Sequence, residues 1–183
     1  MKQRHRIFIA INLPENIKKK LVEYQNKWSE LPVRWTKPES LHITLVFLGY
    51  LKDEELVEIC KITKETIVNH TSFEIRLNKI SYGPTSKYPP RMIWAIGEKS
   101  EEFTALKNDL DKSLAGSENR EFAPHITLGR IRQWEWRQIE PEDRPEVEEE
   151  IDLLFPVNSI EAMESVLKRG RSEYTVLESV PLG

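Results

Sequence analysis

His42-Ile43-Thr44-Leu45 returns 83 positions later as His125-Ile126-Thr127-Leu128, and a glycine follows each copy within a few residues, Gly49 and Gly129. The two copies take up two of the four histidines in the chain. In an extended strand, residues i and i+2 point to the same face with Cα atoms roughly 6.5–7 Å apart. His42 and Thr44 therefore share one face while Leu41, Ile43 and Leu45 anchor the other, and His125 and Thr127 repeat the arrangement over Ile126 and Leu128. A single His-x-Thr on a strand is commonplace. Two identical copies, each putting histidine where a strand would otherwise carry an apolar residue, point to one cleft built from two similar halves.

The flanking sequence supplies the frame. Arg6 to Leu13 is rich in Ile and predicts a strand; Pro14 suits a helix start, and Ile17, Leu21, Tyr24 and Trp28 recur at helical spacing. Leu41 to Leu48 predicts a second strand, closed by Gly49. Asp53 is placed to cap a helix whose apolar face is Leu56, Ile59, Thr63 and Ile67. Phe73 to Ile80 alternates like a half-buried strand, and a loop from Gly83 to Pro90 leads into a strand from Met92 to Ile96. Ser100 caps a third helix, with Glu101 and Glu102 in its first turn. Phe103, Leu106, Leu110 and Leu114 form its stripe, and Gly116 ends it. After a polar loop, Ser117 to Pro124, His125 to Ile131 predicts another strand. Residues 132–150 read as an exposed, partly helical excursion, and strands around Asn158–Leu167 and Tyr174–Leu177 close the pattern. Helices and strands mixed in this way predict an α+β fold with antiparallel pairing.

Length and composition set outer bounds. The chain has 183 residues, 31% charged and 39% hydrophobic, which suits one globular domain over residues 1–183, or two small lobes sharing a core. The apolar run Ile7 to Ile11 is broken by Asn12 and Pro14, too short for a signal core or a membrane span. A lone cysteine, Cys60, excludes an internal disulfide and sets a reducing, cytoplasmic compartment as the expectation. The net charge of −3 is unevenly spread: residues 1–49 carry nine Lys/Arg against four Asp/Glu, whereas residues 132–164 carry three against eleven. A basic N-terminal third along a cleft rim would attract a phosphate backbone; a plain solvated face is the competing reading.

Two imidazoles flanking a phosphate suit in-line displacement at phosphorus. One must be neutral to take a proton from attacking water, the other protonated to supply the leaving oxygen, and the ordinary imidazole pKa of about 6.5 permits both states near neutrality. The hydroxyls of Thr44 and Thr127 can hold the non-bridging oxygens. No metal is required, and the zinc reading of the two histidines lacks third and fourth ligands. His5 and His70 lack the pattern and read as surface residues.

With these motifs in view, the sequence resembles the 2H phosphoesterase superfamily, and within it the LigT-like RNA 2′,3′-cyclic phosphodiesterases, historically called 2′-5′ RNA ligases. The resemblance runs through Arg6-Ile-Phe-Ile-Ala, Arg34-Trp35, Pro38 to Gly49, Arg91 to Ala95, Phe122 to Ile131 and the closing Tyr174-Thr-Val-Leu. It implies two lobes related by an approximate two-fold, each supplying one motif strand to a central cleft. It implies hydrolysis of RNA 2′,3′-cyclic phosphate ends to 2′-phosphomonoesters, with no cofactor and no metal. By the same resemblance His42 is the acid and His125 the base; the residues by themselves leave the two interchangeable. Thr44 and Thr127 bind phosphate. Arg130 is expected near the phosphate too, although strict alternation from His125 places it on the opposite face unless Gly129 bends the strand. Trp35 and Tyr88 are the candidate base contacts, whereas alternation sends Phe47 to the core and Trp94 reads as core. RNA or a nucleotide with a cyclic phosphate end is the expected partner, with no membrane involved and a monomer expected. Reverse 2′-5′ ligation would use the same groups. No Lys-x-Asp-Gly or Gly-x-x-x-x-Gly-Lys motif supports an ATP-dependent ligase. A non-catalytic nucleotide- or RNA-binding module that keeps the cleft is the alternative.

Overall fold

The computed structural model describes residues 4–114, 122–168 and 171–183; the expected helix end at Gly116 and most of the loop from Ser117 lie outside the described residues. The elements run β1 (Arg4–Asn12), α1 (Glu15–Lys27), β2 (Val33–Trp35), β3 (His42–Lys52), α2 (Asp53–Ile67), β4 (Phe73–Gly83), β5 (Met92–Gly97), α3 (Glu101–Ser113), β6 (His125–Ile131), α4 (Gln133–Arg137), β7 (Glu148–Val157), β8 (Ser159–Lys168) and β9 (Arg171–Pro181). The strands follow the order β7-β4-β5-β6-β3-β1-β8-β9, with β2 pairing off this path onto β6. Every pairing is antiparallel. The α+β fold is as the sequence predicts.

The sheet divides at its middle. β3 and β6 meet through one backbone pair, Ile43 with Ile126, and outward from that seam lie β1, β8 and β9 on one side and β5, β4 and β7 on the other. The inner strands correspond by register. Ala10 faces Thr44 and Ile9 faces Val46 across β1 and β3; Trp94 faces Thr127 and Ile93 faces Gly129 across β5 and β6. Each half is thus a β-α-β unit, β1-α1-β3 and β5-α3-β6, carrying its motif histidine on the inner strand.

Burial follows from position in this sheet. β1 has neighbours on both edges and is apolar on both faces: Ile9 and Ile11 join the main core, while Phe8 and Ala10 pack with Met163 and Tyr174 on the other face. α1 buries Ile17 and Leu21, and α3 buries Phe103, Leu106 and Leu110. The Ser100 hydroxyl accepts the Phe103 N–H at 3.1 Å and caps α3 as expected. At α2 the cap is Lys52, not Asp53: the Glu55 carboxylate reaches back to accept the Lys52 N–H at 2.7 Å.

Residues 132–150 are mostly exposed and partly helical, as the sequence predicts, with two anchors: α4 buries Trp136 edge-on to Tyr82, and Val147 joins the core before the acidic run enters β7. Two expectations are corrected. Gly49 does not end β3: with φ at +76° it accommodates an irregularity at Leu48, and pairing resumes through Lys52. His5 and His70 are mostly buried bridging residues. His5 lies 2.6 Å from Glu164 and 2.9 Å from Asp53, and His70, three residues past the end of α2, lies 3.0 Å from Asp109 of α3.

Candidate active site

A cleft of about 600 Å³ opens over the seam. His42 and Thr44 of β3 and His125, Thr127 and Arg130 of β6 all line it. The two imidazoles are held alike. His42 Nδ1 lies 2.7 Å from the Ser40 carbonyl, and His125 Nδ1 lies 3.0 Å from that of Ala123, in each case two residues upstream. A carbonyl can only accept, so Nδ1 carries the proton and Nε2 is left for the cleft chemistry. His42 Nε2 sits 2.9 Å from the Thr44 hydroxyl. Burial pushes both imidazoles below the ordinary value of 6.5; the charges of Arg130 and His125 push His42 further the same way, while the backbone carbonyls oppose the shift.

Arg130 reaches the cleft because β6 does not alternate strictly. Ile93 pairs with Gly129 but Trp94 with Thr127, so Leu128 is an extra residue and the side chains beyond it change face. The equivalent bulge in β3 skips Leu45, since Ile9 pairs with Val46 and Ala10 with Thr44. Phe47 is therefore turned out of the core and is 69% exposed on the cleft wall, five residues after its histidine just as Arg130 follows His125. The second half presents a cation where the first presents an aromatic ring.

The β6 bulge is built by groups that the motif pattern does not mark. Its Leu128 carbonyl accepts from the Thr36 N–H at 2.8 Å and from Gln25 Nε2 at 3.0 Å, and the Thr36 hydroxyl donates to the Thr127 carbonyl at 2.8 Å. Gln25 is a buried polar residue on α1, an anomaly on an apolar stripe and the one sequence signal for this role. Gly129 lets β2 lie close, since an added Cβ would meet Val33 Cγ1 at 2.4 Å and Trp35 Cε3 at 2.9 Å. Gly129→Ala is therefore expected to destabilise the fold by about 1–3 kcal/mol through overpacking. It should also lower turnover by moving Thr127 and Arg130, with the urea midpoint and the specific activity reporting the two effects.

The two expected base contacts do not line the cleft. Trp35 lies over Gly129 against the main core, and Tyr88 is 80% exposed, its hydroxyl accepting from Arg144 at 2.7 Å. Trp94, read as core, lines the cleft and stacks on His125 with ring centroids 4.1 Å apart. Phe8 and Tyr174 each lie 5.0 Å from the His42 ring. On α3, the ion pair of Lys107 and Asp111 lines the far wall, with Lys107 5.1 Å above the Phe122 ring. Among the described residues no His, Cys, Asp and Glu cluster is arranged to hold a metal ion.

Residues 11–94 match the model of the LigT-like phosphoesterases. An RNA 2′,3′-cyclic phosphodiesterase of Thermus thermophilus is 31% identical, across 97% of this chain and 90% of its own length. The chain belongs to the LigT-like phosphoesterase family. A relative in Methanocaldococcus jannaschii, also named RNA 2′,3′-cyclic phosphodiesterase, is 29% identical across 94% of this chain and 98% of its own. Among solved structures, TT0787 of Thermus thermophilus superposes with a TM-score of 0.81 at 30% identity, covering 97% of both chains. Escherichia coli LigT complexed with 3′-AMP superposes at 0.79 and 25% identity, covering 98% of this phosphoesterase and 99% of LigT. No helix among the described residues is long and apolar enough to cross a membrane.

Proposed function

We propose that this protein opens 2′,3′-cyclic phosphates at RNA ends to 2′-phosphomonoesters, without a metal ion, by acid/base catalysis from His42 and His125. The observation that carries the reading is the paired fixing of both Nδ1–H groups on backbone carbonyls, which leaves two Nε2 atoms and two threonine hydroxyls for one cleft. The substrate class rests on the family, whose relatives bear the name RNA 2′,3′-cyclic phosphodiesterase.

In the proposed reaction His125 Nε2 takes a proton from water as the water oxygen bonds to phosphorus. The P–O3′ bond breaks, and His42 hands its proton to O3′, leaving the phosphate on O2′. Thr44, Thr127 and Arg130 hold the non-bridging oxygens, where negative charge builds in the pentacoordinate transition state. Phe47 on the cleft wall offers a face for the terminal base. Exchanging water for a 5′-hydroxyl and running the sequence backwards gives 2′-5′ ligation by the same groups. Water outnumbers any RNA end in solution, so hydrolysis is the dominant direction.

The test is to follow a short RNA ending in a 2′,3′-cyclic phosphate by phosphorus NMR, with chelator present. Conversion to a 2′-phosphomonoester is expected. A 3′-phosphate product would reverse the choice of leaving oxygen, loss of turnover on chelation would bring in a metal, and binding without turnover would make the protein a nucleotide-binding module.

A further inference from the structure

The two halves of the site are alike in backbone and unlike at one side chain beneath the histidines. The register that puts Ala10 opposite Thr44 puts Trp94 opposite Thr127. The indole lies face-on to the His125 imidazole, centroids 4.1 Å apart and planes 29° from parallel. His42 has a weaker partner: the Phe8 ring is 5.0 Å away and tilted by 36°, a phenyl face that attracts a cation less than an indole does, and Tyr174 stands edge-on at 80°. The indole is placed by packing alone. Its ring covers Gly83, where an added Cβ would meet Trp94 Cδ2 at 2.3 Å, and its buried Nε1 has no hydrogen-bond partner in the structure.

We propose that Trp94 is a positioning residue that gives the base role to His125, its face stabilising the imidazolium that forms as His125 takes the proton from water. This rests on the two-histidine reading above and adds to it a reason why two histidines in matched settings act in opposite senses. A cation within about 6 Å of an indole centroid is attracted by the negative face of the ring, and the attraction grows where water is excluded. Neutral imidazole gains little from that contact, so the stabilisation arrives with the proton and belongs to the transition state. The other half is arranged the opposite way. Arg130 disfavours a proton on His42, which makes the His42 imidazolium a readier donor once the charge of the bound substrate has raised it enough to take a proton from solvent. The other titratable or charged groups lining the cleft with His125 are Arg6 on β1, His42 on β3, Arg130 on β6 and the Lys107–Asp111 pair on α3. That pair is internally neutralised. The Ala123 carbonyl also favours charge on His125, but the Ser40 carbonyl does the same for His42, and the Phe122 ring is further off, at 5.5 Å and tilted by 52°, which leaves the indole face as the group that separates the two histidines.

The experiment replaces Trp94 with tryptophans carrying one to four ring fluorines, which weaken the face potential stepwise with little change of shape. Trp94→Phe and Trp94→Leu accompany them, and kcat, KM and the pH profile are measured on a 2′,3′-cyclic nucleotide. Log kcat is expected to fall steadily with fluorine number, roughly tenfold in all, with KM within about twofold. The acid limb should move to lower pH, because a less stabilised imidazolium leaves His125 neutral further into acid. Trp94→Phe should keep more activity than Trp94→Leu. A flat fluorine series, with Trp94→Leu still impaired, would reduce Trp94 to packing and overturn the inference. Full activity in His125→Ala would instead overturn the reading on which it rests.

Discussion

Alanine at His125 is expected to lower kcat/KM on a 2′,3′-cyclic nucleotide by about a thousandfold, and alanine at His42 by a similar factor, within the range of about 10²–10⁴ that a positioned acid or base supplies. The double variant should fall well short of the product of the two losses, because a base without its acid serves only half of one proton-transfer sequence. Both side chains are only partly buried on the cleft wall, so circular dichroism and thermal midpoints should stay close to those of the parent. The pH profiles separate the roles. Both imidazoles lie below 6.5 in the free protein, mainly through burial, so kcat/KM should peak on the acid side of that value. On the basic side the rate falls as His42 loses the proton it must donate; on the acid side it falls as His125 gains the proton it must lack. His42→Ala should therefore abolish the basic limb, and His125→Ala the acid limb. The reverse pattern would exchange acid and base, and near-parental rates in either variant would sink the two-histidine mechanism. The anionic substrate raises both imidazoles, so the limbs of kcat should lie at higher pH than those of kcat/KM.

Arg130→Gln carries the next largest expected loss, about a hundredfold in kcat/KM, in line with removal of one preorganised donor to a developing anion. Lysine at the same position should recover part of it, since it restores a point charge without the planar fork that grips two oxygens. Arg130 also works on His42, whose imidazole it pushes down. Without it His42 rises toward the ordinary value, so the basic limb of the Arg130→Gln profile should move to higher pH even as the maximum drops. A profile that drops without moving would confine Arg130 to the phosphate. A normal rate would remove it from the site.

The motif strands were legible because a histidine in an apolar strand position is conspicuous and an identical tetrapeptide repeat is more so. The three main helices were legible from their stripes, Ile17 with Leu21 in α1 and Phe103, Leu106 and Leu110 in α3. What escaped was whatever depended on a residue's partner across the sheet. Alternation sends Phe47 inward, and only the pairing of β3 with β1 reveals the extra Leu45 that turns it outward. The same holds for Arg130 and Leu128. Trp94 reads as core because its own strand is short and apolar; its place in the cleft comes from the neighbouring strand on which His125 stands. Trp35 stands close in sequence to the first motif, which suggests a place in the site, yet it pairs with Gly129 of the second. The sequence does not announce β7, because Glu148 to Glu150 suggests solvent rather than a strand start. As an edge strand it pairs only with β4 and carries those charges, with Glu148 bonded to Lys79 at 2.6 Å.

The strand order also bears on how the molecule is made. The half with His125 takes β4 through β7 from one stretch and adds only the short β2 from earlier in the chain, whereas the half with His42 joins β1 and β3 to β8 and β9, so that Ile9 finds Ala162 across roughly 150 positions. During synthesis the His125 half has all its strands once β7 emerges, while β1 waits with an apolar edge uncovered. His42 in turn receives its Tyr174 neighbour only with β9. The half that emerges first is thus the later to be completed, and over that interval the exposed edge of β1 is where a chaperone would find its hold and where a nascent chain would first go astray.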